Sequence, residues 1–73
     1  MLEQIVEILS QYTATAEITP ETILTSDLGF SSFEMVSIVA AFEDAFNIEI
    51  PDRDIRKLTT VKDIEVYLAE KLK

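Results

Sequence analysis

Cysteine and histidine are both missing from the 73 residues, and glycine occurs once. Without Cys, neither a disulfide framework nor a thiolate metal site can form. Without His, the commonest general acid–base and the commonest transition-metal ligand are gone. A single glycine cannot build a phosphate-cradling loop. Chemistry from Ser, Asp and Lys alone would need more scaffold than one modest core, which supplies roughly 3–5 kcal/mol of net stability. Catalysis is therefore not expected. Long apolar runs are also lacking: the longest is Ile38-Val39-Ala40-Ala41-Phe42, far short of the ~20 residues a membrane helix needs. The chain opens Met-Leu-Glu-Gln, with an early acid and no basic stretch, so neither a signal peptide nor membrane insertion is expected. The default is a soluble cytoplasmic protein.

Positive charge is absent from most of the chain. Residues 1–52 contain ten acids and no Lys or Arg; all six basic residues lie from Arg53 onward. The net charge is −8. Such a field repels nucleic acid and anionic membrane and attracts basic protein surfaces. It also disfavours self-association, so a monomer is expected. Almost half of the residues, 48%, are apolar, enough for the chain to collapse into a core.

Hydrophobic spacing predicts helices. Leu2, Ile5, Val6, Leu9 and Tyr12 form an amphipathic stripe, with Glu3 and Glu7 outside it. The β-branched Thr13 and Thr15 weaken helix beyond that point. A long connection follows to Phe30, with Ile18, Ile23, Leu24 and Leu28 as candidate pins and Thr19-Pro20-Glu21 as a short helical turn. Ser31-Ser32-Phe33-Glu34 fits a capping box, and Phe30 with Met35 fits a hydrophobic staple. The helix they open should reach about Phe46. After the extended Ile48-Glu49-Ile50, a short turn from Asp52 to Leu58 should bury Ile55 and Leu58. Thr60-x-x-Asp63 caps a last helix, with Val61, Ile64, Leu68 and Leu72 on one face. Nothing alternates with period two for long enough to make a sheet. The expected class is all-α: one domain over residues 1–73, three main helices and a short fourth, with a long loop between the first two.

The second main helix has two faces. At 100° per residue, Met35, Ile38, Val39, Phe42 and Phe46 form one apolar stripe. Phe33, Val36 and Ala40 fall on another side, which Glu43 and Asp44 share. That second patch either packs under the long loop or serves as a docking surface beside Ser32. Ser32 itself sits at the first helical position, where free backbone N–H groups and the helix dipole favour an attached phosphate. On position alone, both serines could be no more than caps.

The run Asp27-Leu28-Gly29-Phe30-Ser31-Ser32-Phe33 resembles the Asp-Leu-Gly-x-Asp-Ser-Leu signature of acyl and peptidyl carrier proteins. Phe46-Asn47-Ile48-Glu49-Ile50-Pro51 is similar to that family's Phe-x-Ile-x-Ile-Pro, and Thr60-Val61 to the opening of its last helix. The order and spacing of the pieces match over nearly the whole chain. The resemblance implies that Ser32 receives 4′-phosphopantetheine from coenzyme A. It implies that Phe33, Val36, Ala40, Glu43 and Asp44 dock partners. It also implies that Asp27, Leu28, Gly29 and Ser31 form the turn that presents the serine. The implied partners are a phosphopantetheinyl transferase, an acyl-loading enzyme and synthases with basic surfaces. The implied cargo is a thioester in fatty-acid, polyketide or related biosynthesis. The aliphatic residues Val39, Ile64 and Leu68 should let the core enclose a short apolar chain, and a plainly packed core fits them equally well.

Two departures stand out: Ser31 replaces the family's Asp, and Phe33 its Leu. With Ser37, they point to a specialised stand-alone carrier rather than a housekeeping one. The competing reading is an unmodified carrier-like module that acts only through protein–protein contact. A helix-turn-helix reading has the wrong charge, and Asp52-x-Asp54 lacks the ligands and glycine of a calcium loop.

Overall fold

The computed structural model describes residues 1–14 and 17–73. Its helices are α1 (Leu2–Ser10), α2 (Ser32–Phe46), α3 (Asp52–Ile55) and α4 (Val61–Lys71), and no strand is present among the described residues. The all-α expectation holds. Helix α1 ends two residues before Tyr12, and Thr15 lies outside the described residues.

Helix α1 packs on α2 and α4, and α3 rests on α2. Ile5 and Leu9 of α1 meet Ile38 and Phe42 of α2 and Ile64 and Leu68 of α4 in one core. All six are essentially closed to solvent. This placement follows from the i, i+3, i+4 spacing of the apolar residues, which puts each stripe on one side of its helix. Leu72 departs from expectation: it caps the end of α4 and is exposed, because the helix has outrun the core by that residue.

Both predicted capping boxes are present. Ser31 Oγ accepts from the Glu34 N–H at 3.2 Å, and Glu34 Oε1 accepts from the Ser31 N–H at 3.0 Å. Thr60 Oγ1 accepts from the Asp63 N–H at 3.1 Å, while Asp63 Oδ2 accepts from the N–H groups of both Thr60 and Thr59. Helix α2 stops at Asn47, which adopts the left-handed conformation (φ 54°) that Asn tolerates better than most residues.

The long connection is tied down mainly through its backbone. The Leu24 N–H donates to Thr59 O at 2.9 Å, Val61 N–H to Thr22 O at 3.1 Å and Lys62 N–H to Pro20 O at 2.9 Å. These bonds fasten the loop to the start of α4 around an isolated bridge between Ile23 and Thr60. Leu24 and Leu28 are buried as expected; Ile18 and Ile23 are only half-buried. Thr19-Pro20-Glu21 makes one hydrogen-bonded turn rather than helix, with the Thr22 N–H on Thr19 O and the Thr19 N–H on Thr22 Oγ1. The next N–H groups, of Ile23 and Leu24, bond to Asp27 Oδ2 and Thr59 O, so no helical ladder continues.

The α3 turn buries a charged residue. Asp54 is 9% exposed, whereas Ile55 is half-buried. Tyr67 Oη donates to Asp54 Oδ2 at 2.6 Å, and Lys57 Nζ stands 3.4 Å from Asp54 Oδ1. The Tyr67 hydrogen bond holds the Asp54 carboxyl below its usual range, against the effect of burial and with help from Lys57 and Arg53. Burial, then the bond to Asp54, pushes the Tyr67 phenol up to about 12.

The two shifts act at opposite ends of the pH scale. The raised phenol stabilises the fold fully below an unfolded value of ~10 and loses that effect as pH rises through about 12. The lowered carboxyl stabilises it above its unfolded value of ~3.9 and loses the effect as pH falls through the lower folded value. Tyr67→Phe should therefore melt a few degrees lower than wild type near neutrality. The gap should narrow above pH ~10 and below pH ~4. A gap constant across that whole range in thermal melts would contradict this coupling.

Candidate functional site

The site begins in the turn before α2. Asp27 Oδ2 accepts from the Ile23 N–H at 2.8 Å, and the Asp27 N–H returns a bond to Ile23 O at 2.9 Å. This closes a loop that sinks Leu28 and Phe30 into the core. Gly29 between them has φ +73°, and a Cβ added there would meet nothing within 4 Å. Its glycine is needed for the backbone conformation and not for space. The chain then enters α2 with Ser31 as N-cap and Ser32 as the first helical residue.

The two adjacent serines do different work. Ser31 Oγ is occupied as the acceptor for the Glu34 N–H. The Ser32 side chain is exposed, and its hydroxyl makes no hydrogen bond among the described residues. A nucleophilic hydroxyl offered to another molecule must be in that second condition. Ser31→Ala should cost about 1 kcal/mol of stability through the lost cap, read as a shift in the denaturant midpoint, without removing the exposed hydroxyl of Ser32.

Beside Ser32, α2 carries the second apolar patch. Phe33 is 81% exposed and Val36 59% exposed, so the patch does not pack under the long loop. Ala40 and Asp44 are exposed on the same helix. Glu43 is half-buried and has an internal duty: its Oε2 accepts from the Ile50 N–H at 2.8 Å and so holds the segment leading to α3. An exposed phenylalanine on an otherwise well-packed small domain invites a partner.

A cleft of about 420 Å³ opens next to Ser32, between the start of α2 and α3. Ser32, Met35 and Val36 form one wall; Ile55, Arg56 and Leu58 form the other. Val39, Ile64 and Leu68 do not line it and are closed within the core. The accessible apolar space thus lies beside the serine rather than among those three residues. The role of Arg56 and of Thr25, which also lines the cleft, is not readable from spacing, because the loop and α3 meet there only through the fold.

These residues fit a phosphopantetheine group: a free exposed hydroxyl, a helix N-terminus to receive an anion and an adjoining cleft. Among the described residues, no group of acidic side chains could hold a metal ion, and no helix is long and apolar enough to cross a membrane.

Comparison with known proteins agrees. The family model for the phosphopantetheine attachment site matches residues 3–68. An acyl carrier protein of Syntrophobacter fumaroxidans is 51% identical over 53 residues, which is 73% of this chain and 65% of that protein's length. An acyl carrier protein of Helicobacter pylori is 40% identical over 55 residues, 75% of this chain and 70% of the other. A solved structure of a protein assigned as an acyl carrier protein of Mycobacterium tuberculosis superposes with a TM-score of 0.87 at 31% identity, covering 94% of this chain and 95% of that one. With the family model running from α1 into α4 and the fold shared over most of the chain, the chain belongs to the acyl carrier protein family.

Proposed function

We propose that this chain is a stand-alone carrier that holds a thioester-linked acyl or aminoacyl cargo on a 4′-phosphopantetheine arm attached to Ser32. The observation that carries this reading is the contrast between the two serines: Ser31 Oγ is committed to its cap and Ser32 Oγ is uncommitted and exposed at the helix N-terminus. The arm supplies a terminal thiol, which this cysteine-free chain does not have. The residues of the chain do the rest. Asp27 and Gly29 fix the turn, the α2 N–H groups and dipole favour the phosphodiester, and the patch around Phe33 and Val36 receives partner enzymes.

The acidic N-terminal two-thirds selects partners with basic surfaces. A phosphopantetheinyl transferase, a loading enzyme and a synthase would each have to approach the same side, because each must reach the arm. Fatty-acid, polyketide and related pathways all fit this chemistry. The chain itself catalyses no step in this reading and works as a monomeric single domain.

Incubation with coenzyme A and a broad-specificity phosphopantetheinyl transferase should add one phosphopantetheine to the intact mass. A folded protein that gains nothing, while a control carrier is fully modified, would favour an unmodified interaction module instead. Phe33→Ala should leave the helix content unchanged and lower the efficiency of this transfer by about tenfold or more, the loss typical of an interface anchor. Unchanged kinetics would remove Phe33 from the docking surface.

A further inference from the structure

We propose that the groove between α4 and the segment leading into it docks an acidic segment of a partner protein, on a side of the domain that leaves Ser32 uncovered. The groove encloses about 370 Å³. Leu58, Val66 and Tyr67 give it apolar surface, and Lys57 and Lys62 give it positive charge. Val66 is 54% exposed. Among the described residues, the large exposed apolar side chains away from the chain ends are Phe33, Val36 and Val66. The first two belong to the patch beside Ser32; Val66 stands apart from them on α4.

The carboxylates of this groove are already engaged. Asp63 Oδ2 accepts from the N–H groups of Thr59 and Thr60, and Glu70 pairs with Lys73 at 3.8 Å. The lysines are more available. Lys57 answers Asp54, yet its side chain is 71% exposed. Lys62 is exposed and forms no ion pair among the described residues. Its backbone N–H ties the loop at Pro20 O, which leaves the ammonium group without a duty in the fold. Lys71 Nζ stands 5.6 Å from the centroid of the Tyr67 ring, and the bond from Tyr67 Oη to Asp54 holds that ring in place.

Charge complementarity selects the occupant. Residues 1–52 hold ten acids and no cation, so they turn an acidic partner away. Three of the six cations, Lys57, Lys62 and Lys71, gather at this groove. A nucleic acid would meet the net charge of −8 along its length. A short acidic segment meets only the local lysines, and an apolar side chain at its centre fills the space over Val66.

The groove is separate from the patch on α2. No residue of α2 lines it, and it shares with the cleft beside Ser32 only Leu58, which is 6% exposed. A protein seated on α4 leaves Ser32, Phe33 and Val36 open to a second one. The chain can then be held by an acidic partner while basic enzymes visit its α2 side.

The test is an NMR titration of the full ¹⁵N-labelled chain with a capped helical peptide that carries leucines on one face and glutamates beside them. The amides of Lys62, Val66 and Tyr67 should shift and those of Phe33 and Val36 should not, with affinity falling as sodium chloride is raised. The same peptide with glutamine for glutamate should bind about tenfold more weakly or worse. Lys62→Glu should keep the helix content and lose about tenfold or more in affinity for the acidic peptide. Arg56→Glu, the same charge change outside the groove, should lose less than about threefold. Shifts centred on the α2 patch, no shifts at millimolar peptide, or equal losses in Lys62→Glu and Arg56→Glu would each overturn the site. Groove amides that move on dilution without peptide would overturn the choice of occupant and assign the groove to a second copy of this chain.

Discussion

Phe42→Ala should leave this domain largely unfolded at room temperature. Phe42 is 1% exposed, stands among the largest fully buried side chains, and stacks on Phe46 with ring centroids 6.3 Å apart. It lies on the face of α2 that meets Ile5 and Leu9 of α1 and Leu68 of α4 in the common core. Truncation of a buried Phe costs about 3–5 kcal/mol, the sum of lost transfer energy and the cavity left behind. A domain of this size has roughly 3–5 kcal/mol in total. The two quantities are equal in size, so the variant should show a broad or absent thermal transition and poorly dispersed amide resonances. The matched control is Phe33→Ala on the same helix. With its side chain 81% exposed, that change should alter stability by no more than about 0.5 kcal/mol. A Phe42→Ala protein that still melted sharply, with less than about 1 kcal/mol lost, would contradict this view of the core.

The contrast between Phe42 and Phe33 is legible in the sequence itself. Angular position alone separates a stripe through Met35, Ile38, Val39 and Phe42 from a patch of Phe33, Val36 and Ala40. The folded chain buries the first and exposes the second. The capping boxes at Ser31 and Thr60 are equally plain, because a cap is a local hydrogen-bond pattern over four residues.

Features set by distant partners are not legible in this way. Asp54 lies between Arg53 and Lys57 and reads as solvent-facing charge. Its partner Tyr67 is thirteen residues away, and only the folded chain brings the two together. Glu43 reads as an acid on the docking side, yet its carboxylate also anchors the Ile50 N–H. The loop's attachment to Thr59 and Val61 is made by backbone groups, and side-chain periodicity carries no trace of such pairing. The cleft beside Ser32 has the same origin, with walls drawn from the loop, α2 and α3. Leu72 continues the i, i+4 pattern of α4, but pattern does not say where the neighbouring helices end.

Ser32→Ala should abolish phosphopantetheine transfer altogether. The reaction forms a bond from the serine oxygen to phosphorus and releases the adenosine 3′,5′-bisphosphate portion of coenzyme A, so a residue without that oxygen has nothing to offer. Its fold should be intact, since the cap at this helix is Ser31 and not Ser32. Ser31 offers a neighbouring hydroxyl, but one engaged by the Glu34 N–H at the entrance to the helix. The most direct test is the intact mass of wild type, Ser31→Ala and Ser32→Ala after incubation with coenzyme A and the transferase. The expected result is a gain of one phosphopantetheine in wild type and Ser31→Ala and none in a folded Ser32→Ala. A full gain in Ser32→Ala, lost instead in Ser31→Ala, would contradict the assignment of Ser32.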